Sequence, residues 1–200
     1  MKYFTIILFS LFTLNIFADG GSNYNHRSVS IDNFEPNLNL QFIGIKDTVH
    51  YLDKKKNLTA IVYSNIAVYD IANNKTNYIF NDSASLQIVG FYFESKYIDE
   101  HKTIEFNNSY YPSDSYEPGL FEHSNNRNVS SRPISHNLII VTEDLLTNNL
   151  TFWICDKHGN NLKKVLEISG EWIWEIDVKN MSIRATRQVN KKVEIQNIKY

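Results

Sequence analysis

The sequence predicts an all-β chain, and three observations carry that expectation. Almost everything after Asn39 falls into short apolar runs bounded by Asn, Asp, Ser and Lys, the punctuation of β-hairpins. No segment sustains the apolar spacing of a helix. Two segments, residues 66–80 and 151–166, share one pattern: a strand of aromatic and aliphatic residues ending in Asp, a polar turn, then a second strand. Their aspartates, Asp70 and Asp156, stand 86 positions apart. That is close to two units of about 43 residues, near the ~40–45 residue period of repeated four-stranded sheets. The expected architecture is a short propeller-like array of about four antiparallel sheets, with an irregular β-sandwich or open barrel as the alternative.

The start of the chain has the order of a secretory signal peptide. Met1-Lys2 is a short basic opening, residues 3–17 carry no charge and are mostly apolar, and Ala18 supplies a small residue for cleavage. The apolar run is shorter than the ~20 residues that span a bilayer, and no later segment is long enough. Residues 1–18 are therefore expected to be removed, leaving no stable membrane span. No cysteine stands near Ala18, so a lipobox is absent. The protein is expected to be exported, into a periplasm or the medium. Residues 19–39, rich in Asn, Ser and Asp, are expected to be a flexible lead-in, and residues 40–200 a single all-β domain.

Along that domain, residues 40–45 and 48–52 are expected as strands on either side of a turn. Residues 58–63 and 66–70 follow, broken at Ser64-Asn65, and Asn73-Asn74 turns into residues 76–80. Residues 86–93 form the next strand, with residues 103–106 as partner. Residues 107–132 lose regularity and are expected as a long loop with one short strand at 120–122. Such a loop on a rigid β scaffold is where binding function gathers. The run Leu138-Ile139-Ile140-Val141-Thr142 suits a central strand buried on both faces. Residues 152–156 and 162–168 form a hairpin, and three more strands follow at 172–177, 182–187 and 192–198. In the last, Val193, Ile195 and, after a step, Ile198 form the buried side of a half-buried strand. The strands group into four units, 40–82, 83–128, 129–169 and 170–200. The last is short of one strand, which residues 40–45 would supply by closing a ring.

Pro133, Leu138–Val141, Asp156, Gly159-Asn160 and Leu162 together resemble one blade of the TolB-type (WD40-like) β-propellers. Ser135-His136-Asn137 stands where those blades carry a Ser-Pro-Asp-Gly-like turn. Residues 58–80 fit the same scheme more loosely. The resemblance implies an exported protein that acts through protein–protein contacts rather than chemistry.

A formal net charge of −2 offers no field to recruit nucleic acid. The single cysteine, Cys155, allows no internal disulfide and reads as a small buried hydrophobe. None of the six histidines pairs with another at metal-ligand spacing, and with only seven glycines no phosphate-cradling loop is available. The densest cluster of ligand types, Asp99-Glu100-His101, sits in an expected turn. Asp53, Asp70, Asp156 and Asp177 recur at strand ends, where aspartates cap turns through side-chain-to-backbone bonds. No catalytic residue, cofactor or metal site is assigned. The residues that suit recognition are aromatic: Tyr110, Tyr111, Tyr116 and Phe121 in the long loop, and Trp172 and Trp174 on one face of a strand. The reading is a non-enzymatic protein that binds another envelope or secreted protein, with a homodimer through edge strands as a further option. The alternatives are a carbohydrate-binding module using Trp172 or Trp174, and a hydrolase on the same scaffold.

Overall fold

A computed structural model describes residues 31–53, 56–81, 86–98, 103–108, 132–169 and 171–200. The described residues are all-β, built as three antiparallel sheets. In the first, β1 (Asn33–Glu35), β2 (Leu40–Asp53), β3 (Lys56–Asp70) and β4 (Lys75–Tyr78) lie in chain order. The second joins β5 (Leu86–Ile98), β6 (Thr103–Asn108), β7 (Asn137–Asp144), β8 (Leu150–Asp156) and β9 (Lys163–Ile168) in the order β6-β5-β7-β8-β9. The third holds β10 (Ile173–Asp177), β11 (Ser182–Val189) and β12 (Lys192–Lys199), again in chain order.

The sheets stack, with the second in the middle. Side chains alternate across a strand, and on β7 Leu138 and Ile140 enter the core shared with the first sheet, while Ile139 and Val141 enter the core shared with the third. The continuous apolar run of β7 is thus the doubly buried strand its sequence predicts. β5 behaves alike: Phe91 and Phe93 face the first sheet, Tyr92 the third. Each outer sheet seats one aromatic ring between two of the middle sheet. Phe42 of β2 lies 5.1 Å from both Phe91 and Phe93, and Trp174 of β10 lies 6.1 Å from Tyr92 and 5.0 Å from Phe152. Such edge-on and tilted pairs contribute about 0.5–1.5 kcal/mol each beyond area burial.

The structure corrects several boundaries. The expected units 83–128 and 129–169 are one sheet, because β5 pairs with β7 from Leu86↔Asp144 to Phe93↔Leu138. The described chain therefore has three sheets, and Asp70 and Asp156 end corresponding strands of neighbouring sheets, one sheet apart rather than two. Residues 40–45 close no ring: β2 is interior to the first sheet, between β1 and β3. The turn expected near residues 46–47 is a bulge between Ile45 and Lys46 in a continuous β2, where an extra residue shifts the ladder without ending it. β3 also runs through Ser64-Asn65. The Asn65 amide stands in for a backbone partner, accepting from Phe80 N–H at 3.0 Å and donating to Phe80 O at 2.7 Å. Within the expected lead-in, Ile31 is buried and β1 pairs with β2, so the ordered fold begins before residue 40. In β12, Val193 and Ile195 are 66% and 63% exposed. The pairing of β12 with β11 places them opposite Gln188 and Thr186, on the face turned away from the stack, while Ile198 pairs with Ile183 and packs on the core.

The sheets are also tied by a buried charge network. Glu94 of β5 is 1% exposed. Its carboxylate accepts two bonds from Arg132 (2.8 and 2.5 Å), one from the Ser135 N–H (2.8 Å) and one from the Tyr200 hydroxyl (3.2 Å). Arg132 also donates to Val178 O, in the β10–β11 turn, at 2.7 Å. The backbone carbonyl of Glu94 accepts from Lys157 Nζ at 2.6 Å, and Lys157 faces the Glu35 carboxylate of β1 at 3.4 Å. The chain Glu35–Lys157–Glu94–Arg132–Val178 thus runs from the first sheet through the second to the third. Two carboxylates face two cations, which is the condition for keeping charge inside a core. Burial pushes the Lys157 ammonium down from its ordinary pKa, against the pull of Glu35 and Glu94. Removing one partner strands the others. Glu94→Ala is expected to destabilise the protein by about 3–5 kcal/mol in urea unfolding. A loss below about 1 kcal/mol would show that the network is peripheral.

Candidate functional site

The hairpins that end the first two sheets share one construction. At the β3–β4 turn, Asn73 donates from its backbone to Asp70 Oδ1 (3.0 Å) and from its amide to Asp70 Oδ2 (2.7 Å). Asn74 then takes a positive φ of 49° before the strand resumes. Asp177 and Asn180 repeat this at 2.9 and 2.7 Å, with Met181 at φ 50°. Asp144 receives the N–H groups of Leu146 and Thr147, with Asn148 at φ 57°. At the β8–β9 turn Asp156 accepts from Asn160 N–H at 2.9 Å. Asp70, Asp156 and Asp177 are therefore turn caps, as their positions at strand ends predict.

Two of these turns meet. Asn77 of β4 donates to His158 O at 2.9 Å and lies 3.4 Å from Asn160 Oδ1. Gly159 makes the approach possible. Its φ is +82°, and a Cβ there would lie 3.2 Å from Ile79 Cγ1, 3.3 Å from Asn77 Nδ2 and 3.4 Å from Val68 Cγ2. A side chain would combine left-handed strain with crowding. Between the turns opens a cavity of about 370 Å³, lined by Val68, Asp70, Asn73, Lys75, Asn77, His158 and Asn160. His158 Nδ1 stands 4.0 Å from Asp70 Oδ2. The bonds from Asn73 hold the Asp70 carboxyl below its ordinary pKa, with His158 adding to the effect.

The crevice thus presents an ionised carboxylate, an ammonium, an imidazole and three amides over an aliphatic floor. This lining can donate to and accept from a polar ligand at several fixed points. Among the described residues that line it there is no hydroxyl, thiol or second carboxylate, and both Asp70 oxygens already accept from Asn73. Among the described residues no group of three or more His, Cys, Asp or Glu could hold a metal ion, and no helix is long and apolar enough to cross a membrane.

The residues expected to bind fall elsewhere. Tyr110, Tyr111, Tyr116 and Phe121 lie outside the described residues, as does Asp99-Glu100-His101. Trp174 is 8% exposed and belongs to the core. Trp172 packs partly against that core, with the Arg187 guanidinium 4.7 Å over its ring, so neither indole is an open platform. Cys155 is buried beside Ile140 and Leu138, and burial, with Asp156 adding to it, pushes its thiol up to about 12, as befits an inert core residue. The crevice escapes a reading of sequence because its halves are 81 and 83 positions apart at Asn77–His158 and Asn77–Asn160. The only signal was the shared Asp-turn pattern itself.

In comparison with known proteins, no family model, no curated protein and no solved structure matches the chain.

The lowered carboxyls of Asp70 and Asp144, the latter held down by the N–H groups of Thr147 and Leu146, make turn stability depend on pH. Each titrates lower in the folded chain than the roughly 3.9 of an unfolded Asp. Their stabilisation is complete above that value and is lost as pH falls through the folded values. Urea unfolding between about pH 5 and pH 2.5 is expected to show a steeper loss for the native sequence than for D70N/D144N. Parallel curves would rule the caps out.

Proposed function

We propose that the chain is an exported, non-enzymatic binding protein whose crevice at the paired turns holds a polar segment of another envelope or secreted protein. The observation that carries this reading is the crevice lining. Asp70, Lys75, His158, Asn73, Asn77 and Asn160 supply donors and acceptors of both charges, held on turns locked by their own hydrogen bonds. Preorganised polar groups bind without the entropic cost of ordering a loop. Export rests on the order of residues 1–18, and the resemblance to TolB-type blades points to the same mode of action. The carbohydrate alternative has less to support it, since Trp174 is core and the Arg187 guanidinium stands 4.7 Å over the partly buried Trp172 ring.

The test is affinity capture from the envelope and secreted fractions, comparing the native protein with Lys75→Glu/Asn160→Ala. The native protein is expected to retain a specific polypeptide that the variant loses, with both melting at the same temperature. Retention by the variant, or binding on a glycan array in place of a protein, would overturn the reading.

A further inference from the structure

The buried lysine carries more chemistry than an ion pair needs. Lys157 is 2% exposed, and Glu35, which faces it, 0%. The Lys157 ammonium stands over the Phe93 ring and donates to Glu94 O, and burial pushes it down from its ordinary pKa. An amine desolvated in this way gives up its proton more readily and becomes a nucleophile. The Glu35 carboxylate does not close on it. Charge-assisted bonds settle near about 2.7–2.9 Å, whereas Lys157 Nζ stays 3.4 Å from Glu35 Oε1. The other oxygen, Oε2, is buried and has no partner among the described residues.

A second group reaches the same carboxylate oxygen. Asn37, in the turn between β1 and β2, donates its side-chain amide to Glu35 Oε1 at 2.9 Å and to Ser95 O. Lys157 bonds the carbonyl of Glu94, Asn37 that of Ser95, where β5 bulges between Glu94 and Lys96. The amine and the amide are therefore seated on consecutive residues of β5, with one oxygen of Glu35 between them. A carboxylate so placed, with its second oxygen free, can take a proton from the amine as the amine attacks the amide. The arrangement joins a nucleophile, an electrophile and a base, with the nucleophile and the base in the core.

We propose that Lys157 and Asn37 form an intramolecular isopeptide bond, with Glu35 as the proton acceptor. The Lys157 ammonium passes one proton to Glu35, and the neutral amine attacks Asn37 Cγ. The Nζ–Cγ bond forms, the Cγ–Nδ2 bond breaks, and Nδ2 leaves as ammonia with a second proton from the amine. Nothing is oxidised or reduced. Glu35 keeps the proton it took, so a neutral acid and a neutral amide replace a buried carboxylate and ammonium, which favours the product. Asn37 stands on an exposed turn, so ammonia escapes to solvent. The bond ties the β1–β2 turn of the first sheet to the β8–β9 turn of the second. In a chain whose single cysteine allows no internal disulfide, it is a covalent staple across a long loop. It is independent of the partner crevice, whose lining includes neither Lys157, Glu35 nor Asn37.

The test is the intact mass of the purified protein under denaturing conditions, with Asn37→Ala and Glu35→Gln as variants. The native chain is expected to weigh about 17 Da less than its sequence from the observed N-terminus requires, the mass of the ammonia lost. After tryptic digestion, a peptide holding Asn37 is expected to remain joined to one holding Lys157. Asn37→Ala, on an exposed turn, is expected to fold and to show its full sequence mass. Glu35→Gln keeps the shape of the side chain but cannot take the proton, and is expected to lower the linked fraction by about tenfold or more. A native chain at its full sequence mass, a loss of about 18 Da marking condensation onto a carboxylate, a loss that persists in Asn37→Ala, or full linkage in Glu35→Gln would overturn the proposal.

Discussion

The fold depends on one buried carboxylate. Glu94 sits where all three sheets converge, and its acceptor positions are filled by three residues from two separate stretches of chain: Arg132 and Ser135 from one, Tyr200 from the other. A charge at that depth is tolerated only with full compensation, so these contacts are required together. Arg132 carries the connection to the third sheet through Val178 O, and Lys157 to the first through Glu35. Hydrophobic stacking brings the layers together but is not directional. The Glu94 network supplies the direction, fixing where residue 132, the β8–β9 turn and the last residue must lie.

With the middle sheet so held, the crevice follows. Lys157, anchored between Glu35 and Glu94, is the first residue of the β8–β9 turn. Its neighbours His158, Gly159 and Asn160 are thereby pressed against β4, where Asn77 receives them. The same lysine stands 5.5 Å over the Phe93 ring, so its packing and charge act on one position. The crevice is therefore a product of the buried network as much as of the two turns that line it.

Local features were legible in the sequence. The strands of β7, β8, β9 and β11, the hairpin turns at Asp70, Asp156 and Asp177, and the core role of Cys155 all follow from alternation, turn chemistry and residue type. What failed to read was non-local. The pairing of β5 with β7 joins strands about 50 positions apart, and no pattern within either strand announces it. The bulge at Ile45/Lys46 looked like a turn because a bulge and a turn interrupt alternation alike. Val193 and Ile195 read as core because periodicity reports which residues share a face, not whether that face is covered. Glu94 carries no local signal: a lone acid in an apolar strand becomes a hub only through partners at separations of 38, 41 and 106 residues.

The central claim is that the three sheets form one cooperative unit clasped at Glu94. Native-state hydrogen exchange tests it most directly, because local and global openings separate by free energy. The Ser135 amide, bonded to the Glu94 carboxylate, and the amides of β3, β7 and β11 are predicted to exchange through a single global opening with a common denaturant dependence. Exchange of β11 through a separate, lower-energy opening that leaves Ser135 protected would contradict it, and would make the third sheet an independent appendage.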